Sequence, residues 1–203
     1  MIKTIIFDFG DVFINLDKNA TNKYFKNLKS LQAATHLLSK NDTLFEIGQI
    51  STHTFLSTYQ EFLNQKTTNL IIEGWNSILL DFPTYRFNFI KELYNKRKYQ
   101  LILLSNTNSL HIEWIEQNIS FYEDFKQCFD YFYLSHEIGV RKPDYEIYNF
   151  VLQNHKLDAN EVLFIDDTKA NIEAAKDLGI HTWHIDPTSQ DIVDLFTTKS
   201  ELF

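Results

Sequence analysis

Five short apolar runs punctuate this chain: TIIFDF (4–9), YQLILLS (99–105), YFYLS (131–135), EVLFID (161–166) and IHTWHI (180–185). Each is continuous rather than alternating, the pattern of a strand covered on both faces. Between them, apolar residues fall at helical spacing. Phe89, Ile90, Leu93 and Tyr94 share one face, as do Tyr145, Tyr148, Val151 and Leu152, and then Ile172, Ala175 and Leu178. Gly179 follows directly, where a left-handed cap is expected. Strands alternating with helices in this way predict an α/β fold with a Rossmann-like parallel sheet.

Residues 16–81 have a different texture. Helical periodicity runs almost throughout, with no convincing strand. Ser51 is placed as an N-cap before THTFLSTYQEFL, and a second helix is predicted from Thr68 to Leu80. The division that follows is an α/β core of residues 1–15 and 82–203, with a small α-helical segment, 16–81, inserted after the first strand. That segment is either a decoration or a cap beside an active site. Its placement favours the cap, because ligands of open α/β sheets bind at the carboxyl ends of the strands.

Composition narrows the partners. Net charge is −8 and no Lys/Arg-rich run is present, which argues against nucleic acid or an anionic membrane. A small anion is still allowed, since a local site can be positive or metal-bearing within an acidic protein. The single Cys128 excludes an intramolecular disulfide. With no leader-like start and no apolar run near ~20 residues, a cytoplasmic protein is expected, as monomer or homodimer.

Candidate chemistry gathers at strand ends. Asp8 closes the first run, Ser105-Asn106 the second, and Asp166-Asp167 the fourth, with Asn171 just beyond; Lys142 precedes a helix in VRKPDYEIY. Singly, each has an ordinary explanation as a turn or cap residue. Jointly, four such coincidences in order, each at the edge where a doubly wound sheet binds ligands, are hard to accept. Asp8, Asp166 and Asp167 bring three negative charges and Lys142 offsets one. The remainder suits a divalent cation such as Mg²⁺, which prefers carboxylate, carbonyl and water ligands. A carboxylate can also attack phosphorus as a covalent nucleophile.

These motifs resemble the haloacid dehalogenase-like (HAD) hydrolase superfamily over nearly the whole chain. IIFDFGDV matches its nucleophile strand, LLSNTN its phosphoryl-binding Ser/Thr, VRKPD its Lys, and FIDDTKAN its acidic motif. GVRKPDYEIYNFVL and FIDDTKANIEAAKDLGI are most similar to the glucose-1-phosphatase-like branch, whose small helical cap corresponds to 16–81. The resemblance implies Asp8 as nucleophile and Ser105, Asn106 and Lys142 as phosphate-binding groups. It further implies Mg²⁺ on Asp8, Asp166 and the Gly10 carbonyl, with Asp11, Asp167 and Asn171 in support. The substrate implied is a small phosphorylated metabolite such as a sugar phosphate.

The superfamily also contains dehalogenases, which attack carbon and use no metal. An acidic residue at position 166 favours phosphoryl transfer. One departure stands out. Phosphatases of this family usually carry a second Asp two residues after the nucleophile, as general acid for the leaving group; here that position is Gly10, and Asp11 lies one residue further. Asp11, water or a residue of the helical segment such as His53 would have to supply the proton. Otherwise the chain is a weakened phosphate- and metal-binding protein. The segment's Phe45, Phe55, Tyr59 and Trp75 are expected in its own core; His111 and His136 lie near strand ends, where they could border the site, and neither is assigned a role.

Overall fold

The computed structural model describes residues 1–25, 31–63 and 67–203, with the backbone alone for 31–37. Five strands, β1 (Thr4–Phe7), β2 (Gln100–Ser105), β3 (Tyr131–Leu134), β4 (Val162–Asp166) and β5 (His181–His184), lie in the order β3-β2-β1-β4-β5. All four pairings are parallel, with Ile6 opposite Ile102 on one side and Phe164 on the other. The chain leaves β1, builds outward through β2 and β3, then returns to β1's free side as β4. This reversal opens a crevice at the carboxyl end of β1, between β2 and β4.

In order, the helices are α1 (Ala20–Phe25), α2 (Leu31–Glu46), α3 (Thr52–Leu63), α4 (Asn69–Asn76), α5 (Thr84–Lys96), α6 (Ser109–Asn118), α7 (Tyr122–Lys126), α8 (Ser135–Ile138), α9 (Tyr145–Asn154), α10 (Lys169–Asp177) and α11 (Leu195–Thr198). Alternate strand residues feed two cores. Ile5, Phe7, Leu101, Leu103, Leu163 and Ile165 pack against α5, α6 and α7. Ile6, Ile102, Leu104 and Phe164 pack against α9 and α10. Two buried faces are why the strands read as unbroken apolar runs. Gly179 takes φ +80° after α10, as its position predicts.

Four of the 18 Phe residues serve one local purpose. Phe9 and Phe13 flank the turn after β1; Phe9 stacks on Phe125 at 5.3 Å, Phe13 meets it edge-on at 5.0 Å, and Phe82 joins the group. The turn holding Gly10 and Asp11 is thus anchored from both sides by aromatic packing.

Helices α1 to α4 enclose a third apolar cluster with Phe25, Phe45, Phe55, Tyr59, Ile71 and Trp75 at its centre. Ser51 caps α3 as expected, its Oγ accepting from Thr54 N at 3.2 Å. The helix predicted from Thr68 to Leu80 ends at Asn76. Residues 78–81 leave it to pair with 15–17: Leu80 N donates to Asn15 O, Asn15 N to Asp81 O, and Asp17 N to Ile78 O, at 2.9–3.0 Å. The two crossings between the helical segment and the sheet domain therefore run side by side. In α9 the buried face is Ile147, Tyr148 and Val151. Tyr145, predicted on that face, is instead exposed and donates to Asp177 Oδ2 at 2.7 Å.

Candidate active site

The crevice at the end of β1 holds a cavity of about 260 Å³ whose wall includes Asp8, Gly10, Lys18, Asn106, Lys142, Asp167 and Asn171. Asp8 continues the β1 ladder, its N–H donating to Ile165 O at 2.9 Å, so its carboxyl is placed by the sheet itself. Lys142 Nζ reaches across to Asp8 Oδ1 at 2.7 Å and Asp166 Oδ2 at 2.8 Å. Burial alone would pull the Lys142 ammonium down; Asp166 and Asp8 reverse that and hold it above its ordinary value. Burial pushes the Asp8 carboxyl up to about 7 against the pull of Lys142, with Asp166 and Asp167 adding to the rise.

The acidic pair divides into two environments. Asp166 is fully buried. Its Oδ1 accepts from Thr168 N at 2.7 Å, Asn171 Nδ2 sits 3.0 Å from both of its oxygens, and Lys142 takes Oδ2. Asp167 faces the cavity and pairs with Lys18. Asn106 also has a clear task. Its Nδ2 donates to Lys142 O at 2.8 Å and its Oδ1 accepts from Lys142 N at 2.9 Å, clamping the loop that carries the lysine. Ser105 is buried at the end of β2, with its hydroxyl 3.5 Å from Asn106 O, and it stands outside the cavity wall.

Asp11 is turned into a local role. It adopts φ +54°, a conformation few non-glycine residues take. Its Oδ1 accepts from Leu16 N at 2.9 Å and its Oδ2 pairs with Lys18 Nζ at 3.0 Å. Both oxygens are engaged in holding the chain after the turn. Lys18 was invisible to sequence reasoning, because DKNATNK reads as a solvated helix start. Only the pairing of 15–17 with 78–81 returns it to the site.

A metal fits this donor set. Asp8, Asp166 and Asp167 can each offer an oxygen within 4.8 Å of the others. With all four carboxylates (Asp8, Asp11, Asp166, Asp167) ionised against two ammonium groups (Lys18, Lys142), 4 − 2 = 2 negative charges stand in excess. A divalent cation neutralises that excess.

Of the two histidines near strand ends, His111 is half-buried in the wall of a second cavity. It stacks on Trp75 at 5.3 Å, Asn108 Oδ1 accepts from both Trp75 Nε1 and His111 N, and His111 Nε2 lies 3.3 Å from Trp75 O. Burial lowers its imidazole to about 4, against the Trp75 carbonyl bond. A neutral ring donating from Nε2 and accepting from Asn108 at Nδ1 satisfies every one of these contacts. His111 thus fastens α4 to α6. His136 lies apart, beside Gly48 and Thr52, in a separate cavity.

Comparison with known proteins agrees with this geometry. The model of the haloacid dehalogenase-like hydrolase family matches residues 5–185. D-ribitol-5-phosphate phosphatase of Bacteroides thetaiotaomicron is 30% identical over 191 residues, 90% of this chain and 91% of that protein. A HAD family enzyme of Bacteroides thetaiotaomicron superposes with TM-score 0.85 at 33% identity, covering 96% of this chain and 98% of its own. Its complex with magnesium and inorganic phosphate gives 0.83 at 32% identity, covering 97% and 100%. An L-2-haloacid dehalogenase, 15% identical with TM-score 0.61, shares the fold alone. The chain belongs to the haloacid dehalogenase-like hydrolases. It is an enzyme of the phosphomonoesterase kind. Among the described residues, no helix is long and apolar enough to cross a membrane.

Proposed function

We propose that this protein is a Mg²⁺-dependent phosphatase acting on a small phosphorylated metabolite, a sugar or polyol phosphate, through an aspartyl-phosphate intermediate. The observation that carries the reading is the state of Asp8. Lys142 holds one of its oxygens, while the other has no partner among the described residues, in the wall of an anion-sized cavity. In the first step that oxygen attacks phosphorus, the ester P–O bond breaks, and the alcohol leaves with a proton from solvent. In the second, water hydrolyses the acyl phosphate, regenerating Asp8 and releasing phosphate. Lys142 orients Asp8 and balances charge on the phosphoryl oxygens, and Asn106 fixes Lys142.

Magnesium would be held by Asp8, the Gly10 carbonyl and one member of the acidic pair, and would supply charge withdrawal from the non-bridging oxygens. Within the pair we assign the cavity-facing Asp167 to the cation and the buried Asp166 to holding Lys142. This shifts the direct ligand one residue along from the assignment the resemblance implies. Residues 16–81 act as the cap over a core of 1–15 and 82–203; their own apolar cluster and their paired crossings support that division. The magnesium complex and ribitol-phosphate activity of the relatives support the metal and the substrate class.

Metal removal tests the reading. Turnover of p-nitrophenyl phosphate is expected to fall to background with EDTA and to return with Mg²⁺; activity indifferent to the chelator would overturn it. The glycine supplies a second measurement. A Cβ at Gly10 meets only Leu16, with Cδ1 at 2.7 Å, and that mobile tip can turn aside. Gly10→Asp is therefore expected to raise kcat on alkyl phosphates by ~10-fold or more, below the 10²–10⁴-fold worth of a fully placed acid, and to leave aryl phosphates nearly unchanged. Equal effects on both would show that leaving-group protonation is not limiting.

A further inference from the structure

A second cavity, of about 310 Å³, lies among α1, α2, α3 and α4 and is walled by Thr21, Ser39, Asp42, Tyr59, Trp75 and His111, among others. Lys18 belongs to the walls of both cavities, so the two adjoin. Its volume sits at the lower end of the ~300–1,000 Å³ typical of small-molecule sites. The lining combines hydroxyl and carboxylate groups with the faces of Trp75, Phe25 and Tyr59, a composition suited to a polyhydroxy chain.

Charge in this cavity is unevenly committed. Glu46 is neutralised by Arg141 Nη2 at 3.1 Å, and Lys18 by Asp11 and Asp167. Asp42 has no cationic partner among the described residues. Tyr59 OH donates to its Oδ1 at 2.8 Å, and its Oδ2 has no partner among them. The Tyr59 ring is fixed against Phe55 and Phe25, at 4.9 and 5.7 Å, so Asp42 is presented by a rigid support. Burial, with Glu46 nearby, pushes the Asp42 carboxyl up to about 7 against the Tyr59 hydrogen bond, and such a group is costly in its charged form unless a further donor meets it.

We infer that this cavity is the leaving-group subsite, and that Asp42 selects phosphate esters of uncharged polyhydroxy alcohols. The inference rests on the phosphatase reading and names its substrate class. A hydroxyl of the alcohol donates to Asp42 Oδ2 while the phosphoryl group sits at Asp8. An alcohol carrying a carboxylate or a second phosphate meets two acidic side chains, Asp42 and Glu46, and no uncommitted cation among the described residues, so it is disfavoured.

Kinetics on a matched panel test this: a pentitol phosphate, 3-phosphoglycerate and p-nitrophenyl phosphate, with wild type, Asp42→Asn, Asp42→Ala and Tyr59→Phe. Asp42→Ala is expected to lower kcat/KM for the pentitol phosphate by ~10–100-fold, as loss of one buried hydrogen bond to a charged group implies, with aryl phosphate turnover within twofold of wild type. Asp42→Asn is expected to raise relative activity on 3-phosphoglycerate, and Tyr59→Phe to give a smaller loss on the pentitol ester alone. Parallel losses on all three esters, or none, would overturn the assignment. Calorimetric titration of the Asp8→Asn protein with the pentitol phosphate and 3-phosphoglycerate reads the subsite without turnover. At least tenfold tighter binding of the pentitol ester, erased by Asp42→Ala, is expected, and equal binding overturns the assignment. Discrimination in binding without hydrolysis of any ester by wild type would instead uphold the subsite and remove the phosphatase reading.

Discussion

Asp8→Asn is expected to fold as wild type does and to lose hydrolysis of every phosphate ester by a factor on the order of 10⁴ or more, as removal of a covalent nucleophile implies. The amide cannot form the acyl phosphate, yet its shape preserves the contact to Lys142. Stability should respond in a defined way. In the metal-free protein, burial pushes the Asp8 carboxyl up to about 7, while in the unfolded chain it titrates in the ordinary carboxylate range. Between those values the folded state keeps a proton that the unfolded state has released, so wild type loses stability as pH rises through this window. The asparagine has no proton to lose. Melting temperatures measured with chelator are expected to favour Asp8→Asn increasingly from about pH 4 to pH 7 and by a constant margin above. A difference that is flat across the window would show that burial does not govern this carboxyl, and residual turnover near wild type would remove Asp8 from the chemistry.

The core elements were legible because their cause is local in sequence. Strands buried on both faces must be apolar throughout, and all five runs became strands. Asp8, Lys142 and Asp166 were legible because a parallel sheet delivers strand ends to one place. Lys18 and Asp42 were not. Each lies in a polar stretch that also suits a solvated helix, and their importance comes from contacts made by distant segments. The premature end of α4 has the same origin: nothing in residues 77–80 announces that they will pair with 15–17. Asp11 shows the converse limit. Its spacing from Asp8 is one residue longer than a general acid needs, and the aromatic anchoring of Phe9 and Phe13 fixes the turn so that its carboxylate is spent on Leu16 and Lys18.

Lys142→Met should separate position from chemistry. Methionine fills nearly the same volume, so the loss is one of charge. Lys142 is buried with Asp8 and Asp166, and without it two carboxylates share a site with only Asn171, Thr168 N–H and solvent to satisfy them. Removing one partner of a buried ionic set costs roughly 3–5 kcal/mol, which for a chain of this size lowers Tm by roughly 6–20 °C. Activity is expected to fall by ~10²–10³-fold, the cost of one donor to a developing oxyanion. The destabilisation should be larger at pH 8 than at pH 5, because two adjacent carboxylates cannot both stay charged and protonation relieves them. Mg²⁺ should also raise the variant's Tm more than wild type's, since a cation that binds the folded state takes up the exposed negative charge. The pattern across the two variants is the decisive comparison: Asp8→Asn inactive and stable, Lys142→Met impaired and unstable but rescued by Mg²⁺. If Lys142→Met kept wild-type stability at pH 8, the ammonium could not be the group that makes the buried acidic pair tolerable, and the electrostatic account of this site would fail with it.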